Sequence, residues 1–246
     1  MIANSPHDLQ GLRASGRAVR AAFEAMFSAC EAGMTTRALD NIGAAELLRQ
    51  GARSAPKMYY DFPGATCISV NEEAAHGIPG DRLICDGDMV NIDVSANLEG
   101  YVADMGQSFV VGRASEAQAR ICRAVEEAVL QAIARVHSGC SLNVIGEAVQ
   151  AVADRHGYTI VENLGSHGVG GSIHEEPSYI PMNNPLETRT LDRGCVLTIE
   201  PFFSSGARWV EEGEDGWTLS VPEGQLVAQF EHTIIVTDAD ALVITA

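Results

Sequence analysis

The stretch MVNIDVSANLEGYVADM, residues 89–105, decides how this chain is read. Val90, Ile92 and Val94 alternate with Asn91, Asp93 and Ser95, the period of a β-strand with one apolar and one polar face. The turn-prone run ANLEG follows, and a second extended run starts at Tyr101. The spacing predicts an antiparallel hairpin. With its turn centred between Leu98 and Glu99, Asp93 falls directly opposite Asp104 on one face. Two carboxylates that close repel each other, and neither stays ionised in a sheet interior without compensation. A bound cation is the natural compensation.

Working outward, the second half offers a matching pair. CVLTIEP ends an apolar strand at Glu200, and Pro201 keeps that residue extended. QFEHTIIVT puts Glu231 on the face shared by Gln229 and Thr233. A turn centred on Asp215–Gly216, a favoured hairpin dipeptide, sets Glu231 opposite Glu200. One such acid alone is ordinarily a solvated strand residue or an arginine's partner. Four acids in two apolar hairpins need counter-charge, because burying each unpaired costs on the order of several kcal/mol. A nitrogen ligand is at hand in SHGVGGSIHEEP. His167 and His174 would face opposite ways in a straight strand, but Gly168, Gly170 and Gly171 allow the chain to fold back so that both converge. His76, in a turn closed by Pro79, is a third candidate. His7, His137, His156 and His232 carry no assigned role.

The remaining chain frames these groups. At 246 residues it is long enough for one large domain or two small ones, with 46% hydrophobic and 20% charged residues. A formal charge of −17 argues against wholesale electrostatic adhesion to nucleic acid or anionic lipid. The first thirty residues read as a charged amphipathic helix and not as a secretion signal. No apolar run reaches the roughly 18 residues of a membrane span. Six cysteines without metal-type spacing are expected to be reduced thiols of a cytoplasmic protein.

Apolar spacing predicts a helix over 8–30 and a second one, capped by Thr35 or Thr36, ending before Gly51. Ser115 with Gln118 opens a third helix as a capping box, and Ser141 starts a fourth that Gly157 stops. Strands are expected around Cys67–Val70, Tyr158–Val161, Val196–Glu200, Trp217–Val221 and Val227–Thr237. The order helix, helix, hairpin therefore occurs twice. Ser141 lies 106 residues after Thr35, and Glu200 lies 107 after Asp93. This spacing suggests pseudo-symmetric halves, about 1–112 and 113–246, sharing one sheet in a single domain, 1–246. Residues 165–195, rich in Gly, Pro and Asn, are expected to form a loop over the site.

The series NIDVS, ADM, GSHGVGGSIHEEP, LTIEP, DGWT and QFEHTIIVT resembles, in order and over essentially the whole chain, the motifs of type I methionine aminopeptidases. The resemblance implies the duplicated pita-bread α/β fold, an antiparallel sheet covered by helices. It also implies a cytoplasmic metallo-exopeptidase that removes the initiator methionine from nascent proteins and peptides. Five metal ligands are implied, Asp93, Asp104, His167, Glu200 and Glu231, holding two divalent ions of Co, Mn, Fe or Zn. In that pattern Asp104 and Glu231 bridge the ions, His167 and Glu200 complete one, and Asp93 chelates the other. The ions would turn a shared water into a bridging hydroxide, with Glu200 accepting its proton. The substrate's free amine would ligate the Asp93-bound ion. His174 would hydrogen-bond the scissile amide, and His76 would orient the peptide. Tyr59, Phe62, Cys67 and Trp217 would line the methionine pocket, where sulfur–aromatic contacts hold a thioether. The implied partners are N-terminal methionines of peptides and nascent chains, with ribosome association left open. The expectation is a monomer with no nucleic-acid function and no membrane contact.

Three places depart from that pattern. Ile173 stands where an aromatic is expected. Met105–Gly106 follows Asp104 in place of a small hydroxylated pair, and Met58–Tyr60 replaces a glycine-containing loop. These bear on pocket shape and leave the metal ligands intact. Two rival readings exist. A proline-specific aminopeptidase or dipeptidase of the same fold is expected to carry a further N-terminal domain, for which a chain opening on its first helix pair has no room. A non-catalytic pita-bread binding protein is expected to have dropped ligands, and none is missing.

Overall fold

The computed structural model describes residues 1–180 and 183–246. Ser5 opens α1 (Pro6–Ala29) with a reciprocal cap: its hydroxyl accepts from the Asp8 N–H while the Asp8 carboxylate accepts from the Ser5 N–H. Leu12, Val19, Phe23 and Met26 form its buried stripe. Thr35 caps α2 (Thr36–Arg49) by accepting from the Ala38 N–H. Then come β1 (Arg53–Ser54), α3 (Ala55–Tyr60), β2 (Cys67–Val70), β3 (Glu73–Ala75), β4 (Met89–Leu98) and β5 (Tyr101–Val110). The second half opens with α4 (Glu116–Ile133), started by the Ser115–Gln118 capping box, and α5 (Asn143–His156), ended by Gly157 at φ 75. The remaining strands are β6 (Thr159–Ile160), β7 (Ser166–Gly168), β8 (Glu175–Ile180), β9 (Val196–Ile199), β10 (Phe202–Ser204), β11 (Glu211–Glu212), β12 (Leu219–Ser220), β13 (Val227–Gln229), β14 (His232–Ile235) and β15 (Leu242–Val243).

All the pairings are antiparallel. β4 carries β5 along one edge and β2 and β1 along the other. A five-stranded sheet runs β15-β14-β9-β7-β8, and β10 lies between β13 and β6. The two groups meet at a seam along β5. There the Glu231 N–H donates to the Gly106 carbonyl at 2.8 Å, the Asp104 N–H to Thr233 Oγ1 at 2.9 Å, and the Gln229 N–H to Ser108 Oγ at 2.9 Å. α1 and α2 pack on the β4–β5 side, burying Leu12, Met26 and Leu39 with Val90, Ile92 and Val94. α4 and α5 cover the other side, burying Ile121, Val125 and Val149 with Leu197, Ile199 and Ile234.

The register differs from the sequence expectation in one hairpin and matches it in the other. In β4–β5, Leu98 pairs with Tyr101, so Ser95 faces Asp104 and Asp93 faces Gly106. The turn residues are Glu99 (φ 53) and Gly100 (φ 92). A tight two-residue hairpin turn of this kind needs positive φ at both positions, which glycine adopts without strain and Leu98 would resist. The turn therefore slides one residue onward. Asp93 and Asp104 become diagonal neighbours on one face instead of direct partners, which retains the face and corrects the pairing. In the second hairpin a single register runs through β9–β14, β10–β13 and β11–β12 around Asp215 and Gly216 (φ 72). The turn dipeptide is the expected one; the ladder is interrupted where Glu200–Pro201 passes Phe230–Glu231, and Phe230 bridges instead to Gln107 of β5.

Other expectations shift by small amounts. α5 begins two residues after Ser141, whose hydroxyl instead accepts from the Asn143 N–H. Residues 165–195 are not one loop, since β7 and β8 form a hairpin within them. Pro181 and Met182 of that expected loop lie outside the described residues. The short helix α3, which apolar spacing does not predict, is started by the Ser54 hydroxyl.

Buried Asp40 of α2 fixes the entry to β2. It accepts from the Ala65 N–H at 3.0 Å, the Thr66 N–H at 2.8 Å and the Thr66 hydroxyl at 2.8 Å. Asp40→Ala would leave these donors without an acceptor and is expected to destabilise the fold by about 2–4 kcal/mol. Urea denaturation of the purified variant measures this; a loss below about 0.5 kcal/mol would show that water replaces the carboxylate.

Candidate metal centre

Cross-strand pairing arranges the polar face into two adjacent rows. One row runs Cys67, Asp93, Gly106, Glu231 and Glu200, the last pair continuing the β9–β14 register by one residue. The next runs Ser95, Asp104, Thr233, Thr198 and His167. Strand geometry thus brings four acids and one imidazole from five chain segments onto one surface. That surface is covered, which the alternation of β4 alone could not show: Asn91, Ser95 and Asp104 are all buried.

Asp93, Asp104 and Glu231 each offer a carboxylate oxygen, and these three atoms lie within 4.8 Å of one another. Asp104 Oδ1 and Glu231 Oε1 are buried and have no hydrogen-bond partner among the described residues. Beside them, His167 Nε2 lies 3.0 Å from Glu200 Oε1. Its Nδ1 sits 3.0 Å from the Gly168 carbonyl, so the proton resides on Nδ1 and Nε2 faces the acids. Thr198 donates to Glu200 Oε1 at 2.7 Å.

The electrostatics of so many acids in one place are costly. Burial first, and then the charge of Glu200, push the Asp93 carboxyl up to about 7. Burial and the charge of Asp93 hold Asp104 well above the usual carboxylate range. Burial and the charge of Asp104 do the same to Glu231. For His167, burial opposes protonation but the Glu200 carboxylate outweighs it, and its pKa is raised. Orphaned buried oxygens and carboxyls that resist ionisation mark a site built for positive charge. A hard, mostly oxygen donor set with one imidazole suits Mn, Fe or Co at least as well as Zn.

A second layer of side chains aims the acids. Gln229 Nε2 donates to Glu231 Oε2 at 3.0 Å and reaches Glu200 Oε2 at 3.5 Å. Its carbonyl accepts from Asn91 Nδ2 at 2.8 Å, which fixes which end of the amide meets the acids. Gly106 makes room for this amide, since a Cβ there would lie 2.4 Å from Gln229 Oε1. Met105 points the other way into the helix-covered core. The Met105–Gly106 departure therefore has a local structural counterpart in the Gln229 packing.

A cavity of about 390 Å³ opens onto Asp93, Asp104, His167 and Glu200, with Glu231 buried behind them. Phe62 and Trp217 meet edge to face at 5.1 Å in its wall, together with Cys67 and Ile173. His76 (φ 56) and His174 line it too. Burial lowers the pKa of His76. His174 keeps one edge in solvent, but enclosure of its ring, and the nearby His167 at 4.1 Å between centroids, push it down to about 4.

Tyr59 is a correction. It does not line the cavity; its hydroxyl donates to the Gly171 carbonyl and accepts from Asn97. Successive residues of a helix point about 100° apart, so its neighbour Tyr60 lines the cavity instead. Asn91 and Gln229 also escaped the sequence reading as supporting groups. Their signal was available, because each lies two residues from a site acid and shares its strand face.

A family model described as metallopeptidase family M24 matches residues 10–238. The chain belongs to this family. Among M24 relatives, it is 42% identical to methionine aminopeptidase 2 of Bacillus subtilis over 100% of this chain and 99% of that protein. It is 35% identical to the methionine aminopeptidase of Escherichia coli over 98% of this chain and 92% of that one. The crystal structure of methionine aminopeptidase from Rickettsia prowazekii superposes with a TM-score of 0.95 at 31% identity, covering 100% of both chains. The architecture is thus the pita-bread fold of those enzymes. Prolidase from Pyrococcus furiosus shares the fold at a TM-score of 0.78 and 22% identity, and this chain covers 65% of it. Membership of M24 implies use of divalent metal, and the acid cluster fits that requirement. No helix is long and apolar enough to cross a membrane among the described residues.

Proposed function

We propose that this chain is a methionine aminopeptidase, cleaving the N-terminal methionine from peptides and nascent proteins in the cytoplasm. The observation that carries the reading is the pair of orphaned buried carboxylate oxygens, on Asp104 and Glu231, facing Asp93 at the closed end of a cavity with an aromatic wall. Asp93, Asp104, His167, Glu200 and Glu231 would hold two divalent ions. When bound, such ions make water acidic enough to act as a nucleophile near neutral pH and polarise a carbonyl.

The protein's own groups do the rest. Glu200 accepts the proton of the attacking water, and the hydrogen bond from Thr198 keeps its carboxylate aimed. Asp93 would hold an ion that offers a site for the lone pair of a neutral α-amine, so a free terminus would be required and cleavage would stop at one residue. Phe62, Cys67, Ile173 and Trp217 enclose the methionine side chain and exclude water from it. His174, neutral at working pH, donates to the scissile amide as charge develops there. His76 orients the peptide beyond the cleaved bond. All six cysteines are free thiols, which agrees with a reducing compartment.

A sample supplied with Mn or Co is expected to release methionine from Met-Ala-Ser peptides and to leave their N-acetylated forms and X-Pro peptides intact. Chromatography of one peptide panel reads this out. Equal cleavage of acetylated peptides would remove Asp93 from amine recognition. A preference for X-Pro members would transfer the chain to the proline-specific branch of the fold.

A further inference from the structure

Tyr60 is the last residue of α3, and Asp61 after it takes a left-handed conformation (φ 55) that ends the helix. The reversal leaves Tyr60 at the cavity mouth while Phe62 turns inward to meet Trp217. Tyr60 Oη lies 2.7 Å from His174 Nδ1, with ring centroids 5.6 Å apart and tilted at 53°. On its other side the His174 ring leans on His167. Among the described residues the Tyr60 phenol is the one hydrogen-bond partner of the His174 imidazole. This contact falls in the Met58–Tyr60 segment that departs from the pattern the rest of the chain follows.

We propose that Tyr60 is a positioning residue for His174: its phenol donates to Nδ1, holding the ring in place and keeping the imidazole proton on Nε2. The inference rests on the reading of His174 as donor to the scissile amide. A neutral imidazole has one donor and one acceptor nitrogen, and the partner of one sets the role of the other. With Nδ1 accepting from the phenol, Nε2–H is the group left to face substrate. With the reverse polarity, Nε2 would present a lone pair to the scissile amide and could not donate. The Tyr60 ring is 45% exposed, so removing its hydroxyl leaves the core untouched.

Tyr60→Phe is expected to lower kcat about tenfold, the effect of one hydrogen bond, while KM moves less than about twofold. His174→Ala is expected to be slower by about 10²-fold, and adding Tyr60→Phe to it should cost nothing more. In metal-free, ¹⁵N-histidine-labelled protein at pH 8, the His174 resonances, assigned by their loss in His174→Ala, should show a bare Nδ1 and a protonated Nε2. Tyr60→Phe should shift the Nδ1 signal. An equal loss from Tyr60→Phe in both backgrounds, or a protonated Nδ1 in the parent chain, would overturn the proposal and leave the peptidase reading standing. Full turnover by His174→Ala would instead remove the role of His174 itself.

Discussion

Glu231→Gln is expected to lose at least about 10³-fold in kcat/KM while its metal-free form melts at a higher temperature than the parent. The two effects have one cause. Glu231 is 1% exposed, and burial together with the charges of Asp104 and Glu200 disfavours its ionised form. The amide keeps the shape and still accepts from Gln229 Nε2, so packing is preserved. What disappears is a group that, without metal, either takes up a proton on folding or carries a buried charge with no cation paired to it among the described residues: a liability without metal and a ligand with it. Asp104→Asn should behave likewise, since its Oδ1 is the other orphaned oxygen. Turnover of a Met-Ala-Ser peptide with Mn, and melting in EDTA, measure the two halves. Retained activity would show that the metal assignment is wrong. A lower melting temperature would show that the carboxylate is stabilising through the protein alone.

The metal-free protein is expected to become less stable as pH rises from about 6.5 to 8.5, and added Mn should recover more stability at each step. The sign follows from the direction of each shift. Asp93, Asp104 and Glu231 have folded-state pKa values raised above their unfolded ones, to about 7 for Asp93. Between the two values the folded form binds more protons than the unfolded, so their stabilisation is present at low pH and lost as pH climbs through the folded values. His167, also raised, acts in the same sense. His174 and His232, pushed down to about 4, act in the opposite sense, but their gain is complete once pH passes the ordinary histidine value of about 6.5. Above that point the acids and His167 set the slope. Thermal melts in EDTA and in Mn across this window are the measurement. A metal-free melting temperature that rises with pH would contradict the reading of the acids as mutually repelling.

Much of this site was legible because strand parity is a rigid rule. Asp93 and Asp104 share a face for any two-residue turn between them, because moving such a turn by one residue shifts the register by two, so the move to Glu99–Gly100 changed their pairing and not their company. Glu200 and Glu231 were placed by the Asp215–Gly216 turn because one register continues through every strand between them. The acidic hairpins therefore followed from local periodicity. What did not follow lies where local rules are weak. Tyr59 and Tyr60 sit in a six-residue helix, too short for apolar spacing to orient, and Tyr60 faces the cavity in place of the expected Tyr59. The hairpin of β7 and β8 was hidden by the glycines that suggested a loop. The seam along β5, where Thr233 bonds the Asp104 backbone through its hydroxyl, joins residues 129 positions apart and has no local signature.

The acids of two hairpins and the His167 imidazole are together expected to hold two divalent ions. Crystals soaked in manganese, with data collected at its absorption edge, test this most directly. Two anomalous-difference peaks are expected between Asp104 and Glu231, one adjoining Asp93 and the other adjoining His167 and Glu200. A map without density among these five side chains, with manganese bound elsewhere or not at all, would contradict it.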